Sequence, residues 1–258
     1  MHNNSGVSEM KLDRVIAVRN NKTIYRDGDR CIKVFGADYS KDDVLNEALT
    51  HSRIEKSGLH VPEVLEVTTF DGKWAIVYKY VKGKTIAQMI DENHQKKKEY
   101  IDLFTDVQML MHRENAPLLE KTKDKMIRKI ADTDFDATTR YHLHACLEAM
   151  PKHHSICHGD FNPTNVVIAE DGTPYILDWS HASVGDASAD AASTYLFFWM
   201  NGDITGAELY LNAFCEKSRT DRDYVKKWMP LVAAAQTIGC HETEREFLMS
   251  WVTDAGKR

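Results

Sequence analysis

Between Cys157 and Ser180 the chain reads CHGDFNPTNVVIAEDGTPYILDWS, and three oxygen-bearing side chains in it could work together. Asp160 is followed by Asn165, and Asp178 ends the apolar run Tyr175-Ile176-Leu177. VVIA and TPYIL flank Asp171-Gly172, a favoured hairpin turn. A hairpin of that length returns Asp178 to the side of Asn165. An amide oxygen and a carboxylate so placed suit Mg²⁺ beside phosphates, and a nearby carboxylate can orient a hydroxyl and take its proton. Asp160 is therefore the candidate base, and Asn165 and Asp178 are the candidate Mg²⁺ ligands. An acid closing an apolar strand is costly to desolvate unless it is paired or bound to a cation. His158 is expected to be structural, hydrogen-bonded within the loop.

Phosphates also need a fixed cation. Lys33 lies in Arg30–Phe35, where Ile32 and Val34 alternate to the opposite face, so the lysine faces away from them. Glu47 sits in the helical segment that follows. A lysine on a strand paired with a glutamate on the next helix is a device for holding α/β-phosphates.

The elements that must position these groups are legible. LDRVIAV, KTIYR and RCIKVF read as strands, the last two joined at Asp27-Gly28. Residues 41–57 carry Val44, Leu45, Ala48, Leu49 and Ile54 at helical spacing, with Ser40 as N-cap and Gly58 as a stop. EVLEVTTF and KWAIVYKYV are two more strands around Asp71-Gly72. After Lys82-Gly83 the composition turns helical, with amphipathic stretches such as Thr105–Met111 and Asp124–Ala131, up to Pro151. From about Ala187 the chain reads as helices again, broken near Asn201-Gly202-Asp203 and at Pro230.

The 258 residues allow a sizeable core, and 43% hydrophobic with 28% charged content is ordinary for a globular protein. A net charge of −6 argues against a nucleic-acid partner, which needs a basic face. Residues 151–258 hold 15 acids against 9 Lys and Arg, whereas residues 1–150 hold 24 of each, so a cationic acceptor would suit the second half. Five cysteines without a Cys-x-x-Cys pair read as reduced thiols of a cytoplasmic protein. MHNNSGVSEMK has no apolar core, so no signal peptide is expected, and Tyr195–Met200 and Leu231–Ala235 are too short to cross a membrane. Glu242, Glu244 and Glu246 read as a solvated helix face, and Tyr195, Trp199, Tyr210, Trp228 and Trp251 as core. The sequence carries no signal for oligomeric state.

HGDFNPTN followed by ILDWS resembles the aminoglycoside phosphotransferase and choline kinase family, a branch of the protein-kinase-like fold. Weaker stretches fall in the same order. Arg30–Phe35 resembles the strand of the ATP-contacting lysine, and Asn46-Glu47-Ala48 the helix glutamate motif. Ile76–Gly83 resembles the hinge, Leu110-Met111-His112 a helix ending in Leu-His, and Gly185–Ala192 the segment after the metal loop. The resemblance implies an α+β, bilobal fold. Residues 1–81 would be a small β-rich nucleotide-binding lobe, and residues 82–258 a larger, mostly helical lobe for catalysis and acceptor binding. It implies transfer of the γ-phosphoryl group of ATP or GTP, with Mg²⁺, to a hydroxyl of a small molecule of aminoglycoside- or choline-like class. The backbone of Lys79, Tyr80 and Val81 would bind adenine, and Asp190 would be a buried acid holding the catalytic loop. Two features depart from the pattern: the phosphate-covering loop Val18–Thr23 has no glycine, and Ala187 stands where a proline is usual. Two other readings are a protein or peptide kinase and a nucleotide-binding pseudoenzyme acting as a partner module. The short segment between Asp178 and Gly185 disfavours the first, and the intact set Lys33, Glu47, Asp160, Asn165 and Asp178 disfavours the second.

Overall fold

The structure, a computed structural model, describes residues 14–19 and 21–255. Leu12, Asp13, the N-terminal segment and Asn20 of the expected phosphate-covering loop lie outside the described residues.

Strands β1 (Arg14–Arg19), β2 (Lys22–Asp27), β3 (Arg30–Phe35), β4 (Val64–Phe70) and β5 (Lys73–Lys79) form one antiparallel sheet in the order β1-β2-β3-β5-β4. Asp71 and Gly72 turn β4 into β5 with both φ angles positive, 47° and 73°, the two-residue turn that matches the twist of the strands. Helix α1 (Lys41–Ile54) lies between β3 and β4 in the chain and packs on one face of the sheet. There Phe35, Ile76 and Tyr78 meet Val44 and Ala48, while Ile32, Val34, Ala75 and Val77 gather on the other face. Period-two alternation therefore puts Lys33 on the helix side of β3, opposite its neighbours Ile32 and Val34.

Ser40 caps α1 in a reciprocal capping box with Asp43. The apolar spacing of this helix is only half realised. Val44, Ala48 and Ile54 are buried, but Leu45 and Leu49 are exposed. The inward face also has to carry Glu47 and His51, and that turns the two leucines toward solvent.

The rest of the chain is mainly helical: α2 (Ile86–Glu92), α3 (Lys97–Arg113), α4 (Thr122–Ala131), α5 (Ala137–Ala149), α6 (Ala187–Met200), α7 (Ile204–Ser218), α8 (Arg222–Gln236) and α9 (Glu242–Ala255). Short strands β6 (Gly83–Thr85), β7 (Ser155–Cys157), β8 (Val166–Ala169), β9 (Pro174–Ile176) and β10 (Ser183–Gly185) form two small sheets, β6-β8-β9 and β7-β10. β6 and β10 were not expected, since three residues carry no readable period. Pro230 does not break the chain either. It lies inside α8, where Trp228, Met229, Leu231 and Val232 are all buried. Burial on that scale outweighs the roughly 3 kcal/mol that an interior proline costs. The break falls instead at Gly239, whose φ is +79°.

Tyr210 and Trp228 are core residues, as expected, and Trp199 stacks on Phe247. All five cysteines are free thiols. Among the described residues no helix is long and apolar enough to cross a membrane.

Candidate active site

The loop from His158 to Asn165 is held from below. Phe161 is fully buried and stacks on Phe104 of α3 at 4.4 Å. The Gly159 N–H donates to Asp190 Oδ1 at 2.7 Å, and Asp190 Oδ2 faces His112 Nε2 at 3.2 Å. Burial raises the Asp190 pKa, but the His112 contact and the loop N–H outweigh it and hold the carboxyl low. Asp190 is thus a buried acid that fixes the loop. Gly159 has φ +81°, and a Cβ there would lie 2.7 Å from the His181 carbonyl oxygen, so only glycine fits. His158 is wholly buried: Nδ1 accepts from the Asp160 N–H, and Nε2 donates to Leu177 O at 2.8 Å. It is structural, and it ties the loop to the end of the hairpin.

The Asp160 carboxylate is oriented by two amides. Asn162 donates to Oδ1 at 2.9 Å and Asn165 to Oδ2 at 3.1 Å. The β8–β9 hairpin pairs Val166 with Ile176, and Leu177 N–H donates to Asn165 O at 2.8 Å. Asn165 and Leu177 are thereby side by side, and Asp178 follows. Asp178 has φ 59° and ψ 69°, a left-handed backbone that few residues other than glycine tolerate as well as Asp.

Lys33 reaches across to this loop. Its ammonium lies 2.5 Å from Glu47 Oε1 and 2.9 Å from Asp178 Oδ1. Burial works against the charges of both Lys33 and Asp178. The two carboxylates nevertheless keep Lys33 protonated, and Lys33 holds the Asp178 carboxyl well below the usual carboxylate range. A second ammonium joins them: Lys22 Nζ is 3.2 Å from Glu47 Oε2 and 5.2 Å from the Phe35 ring centre. Its hairpin is pinned by Asn21, which accepts from Gly36 N–H at 2.7 Å and donates to Asp38.

A cleft of about 630 Å³ opens beside these groups, lined by Lys33, Asn165 and Asp178 and floored by Val167 and Leu177. Lys79, Tyr80 and Val81 line its far side. The N–H groups of Lys79 and Tyr80 already donate to Glu63 O and Asp29 O, whereas that of Val81 has no backbone partner among the described residues. Asp160 faces a second cavity, of about 480 Å³, whose wall includes Lys125 and Lys129 of α4, His181, Gln236 and Glu244. Of the acids of residues 151–258, Asp160, Asp190 and Glu244 line that wall, Glu244 Oε2 accepting the His241 N–H, while Glu242 and Glu246 are exposed.

The model of the phosphotransferase enzyme family matches residues 15–228. The chain belongs to this family. It is an enzyme, a phosphotransferase with a kinase-like fold. A search of curated protein sequences finds no match. A thermostable mutant of the aminoglycoside phosphotransferase APH(4)-Ia in apo form superimposes with a TM-score of 0.70 at 15% identity, covering 93% of this chain and 92% of that one. A choline/ethanolamine kinase family protein from Mesorhizobium loti gives 0.61 at 15% identity over 95% and 88%. Choline kinase LicA from Streptococcus pneumoniae gives 0.60 at 14% over 92% and 91%.

Against this family frame, Lys33, Glu47, Asn165 and Asp178 come together at one cleft, and Asp160 stands at the junction with the second cavity. Lys79, Tyr80 and Val81 lie along the same cleft. Sequence reasoning missed Lys22, Asn162, Lys125, Lys129 and Gln236. Asn162 carried the one readable signal: an Asx residue before a proline, able to bond the backbone two residues on.

Proposed function

We propose that the protein transfers the γ-phosphoryl group of ATP, or GTP, to a hydroxyl of a small molecule. The observation that carries this reading is Lys33 bridging Glu47 and Asp178 at one end of the Asp160–Asn165 loop. Residues 1–81 would form the nucleotide lobe and residues 82–258 the lobe for catalysis and acceptor, working in the cytoplasm.

The nucleotide would lie in the cleft, with its base between β1 and Leu177 and bonded to the hinge near Val81. Lys33, held by Glu47, would grip the α/β-phosphates. Lys22 would supply the second cation, replacing the backbone cradle that a glycine-rich loop gives elsewhere. The Asn165 amide donates through its nitrogen, which turns its oxygen to the other edge, and Asp178 is kept ionised. An amide oxygen and one carboxylate, completed by phosphates, form a donor set that suits Mg²⁺. The chemistry the ion supplies when bound is neutralisation of phosphate charge.

Asp160 would orient the acceptor hydroxyl. The acceptor oxygen bonds to the γ-phosphorus, the bond to the β,γ-bridging oxygen breaks, the nucleoside diphosphate leaves, and the hydroxyl proton passes to Asp160. In-line placement supplies most of the rate in such sites. An acceptor screen with MgATP and MgGTP, read by nucleoside diphosphate release, tests the reading. Acceptor-dependent release supports it; nucleotide binding with no turnover across sugars, amino alcohols, aminoglycosides, hydroxy acids and nucleosides contradicts it.

A further inference from the structure

The wall of the cavity facing Asp160 carries two ammonium groups, those of Lys125 and Lys129, alongside the carboxylates of Asp160, Asp190 and Glu244. Lys125 and Lys129 lie one turn apart on α4 and line the cavity together. Lys125 donates to the His181 carbonyl at 2.8 Å. Neither ammonium forms an ion pair with a carboxylate among the described residues, while the nearby Glu120 pairs with Arg128. Each acid on the cavity wall accepts hydrogen bonds from groups other than the two lysines. Asp190 serves Gly159 and His112, Asp160 accepts from Asn162 and Asn165, and Glu244 accepts the His241 N–H at 3.0 Å. Burial, then the charge of Lys129, brings the Lys125 pKa down to about 8, and burial lowers that of Lys129.

Partly buried cations without a partner carry a desolvation penalty, and an anion that completes them removes it. A third group points the same way. Gln236 donates to Ser193 Oγ at 2.8 Å, and its buried Oε1 has no hydrogen-bond partner. Gln236 lines the same cavity, so that oxygen can accept a hydrogen bond from a hydroxyl of whatever occupies it.

We propose that the phosphoryl acceptor is an anion: a small polyhydroxylated molecule bearing a carboxylate or a phosphate. Lys125 and Lys129 hold its charge, Gln236 Oε1 accepts from one hydroxyl, and Asp160 takes the proton of the hydroxyl that attacks the γ-phosphorus as the nucleoside diphosphate leaves. The proposal rests on the phosphotransferase reading of Asp160. An amino sugar or a quaternary ammonium would bring a further cation beside Lys125 and Lys129.

Calorimetric titration of the full-length protein, with and without saturating MgADP, tests it. The probes are matched by size and hydroxyl content: glycerate, glycerol and serinol, then gluconate, glucose and glucosamine. Glycerol 3-phosphate and glucose 6-phosphate distinguish a phosphate site from a carboxylate site. At least one anion is expected to bind ten-fold or more tightly than its neutral and cationic counterparts. That preference should vanish in Lys125→Met/Lys129→Met, and fall in Lys129→Met alone, which disturbs no internal hydrogen bond; MgADP affinity should not change in either. Preference for the cationic member, binding of no anion, anion affinity that survives both variants, or a loss shared equally by the neutral probe would each overturn it. Failure to bind MgADP would count against the phosphotransferase reading alone, because the anion titrations without nucleotide still report on the lysines.

Discussion

The Lys33 ammonium lies 2.9 Å from Asp178 Oδ1, a residue 145 positions further along the chain, and 2.5 Å from Glu47 Oε1. One cation thus ties together β3, α1 and the loop after the β8–β9 hairpin. Because the two ends come from the sheet and from the helical part, the contact joins the two sides of the cleft that Lys33 and Asp178 line.

Removing the cation leaves two carboxylates facing each other with little water. Breaking a buried pair by deleting one partner costs about 3–5 kcal/mol. Lys33→Met should therefore lower the unfolding free energy in urea by about that much. Lys33→Met/Glu47→Leu should recover part of the loss, since it removes one of the stranded charges. Equal stability of the parent and the single variant would show that the triad is not coupled.

Lys22 sits beside the same glutamate but forms no part of the strand-to-loop tie. Lys22→Ala should leave unfolding within about 1 kcal/mol of the parent, as for a partly exposed pair. Its effect should fall on nucleotide: about a ten-fold higher KM for ATP, with the acceptor KM unchanged. Steady-state kinetics in both substrates separates the two. An unchanged ATP KM would remove Lys22 from the phosphate site.

The pH response of Lys125 has a sign of its own. Facing it are Lys129 and Arg128 of its own helix, Glu120 before it, and the His181 carbonyl across the cavity. With a pKa near 8 against 10.5 unfolded, the folded protein releases this proton first as pH rises. The unfolded chain binds more protons between those values, so this group makes stability rise with pH across that window. Anion binding moves the other way. The kcat/KM for an anionic acceptor should fall above about pH 8 in the parent, and that inflection should disappear in Lys125→Met. An identical profile in parent and variant would separate the lysine from acceptor binding.

The proposed catalytic half of the site was readable as a spatial cluster because it is local. Asp160, Asn165 and Asp178 lie within one loop and one hairpin, and the Asp171-Gly172 turn fixes which of them meet. Lys33 and Glu47 were readable because strand alternation and helix spacing each leave one polar residue on an otherwise buried face. The acceptor side was not. Lys125 and Lys129 on α4 have the spacing of a solvated helix face, and only the packing of α4 against the segment after Asp178 and against α8 turns them into a cavity wall. The charge balance of the second half suggests a cationic acceptor, but a count of acids does not reveal which of them line the cavity. Pro230 misled for a related reason: local propensity says break, while burial of its neighbours on α8 carries the helix through.

The central claim, that Asp160 serves the acceptor while Lys33, Asn165 and Asp178 serve the nucleotide, is tested most directly by Asp160→Asn. The amide keeps the size of the side chain but cannot take a proton. The variant is expected to unfold at the parent's urea concentration and to bind MgATP with the parent's affinity. Its rate of acceptor-dependent ADP release is expected to fall at least 10³-fold. Transfer to the same acceptor at the parent's rate would contradict the assignment of Asp160 and, with it, the division of the site.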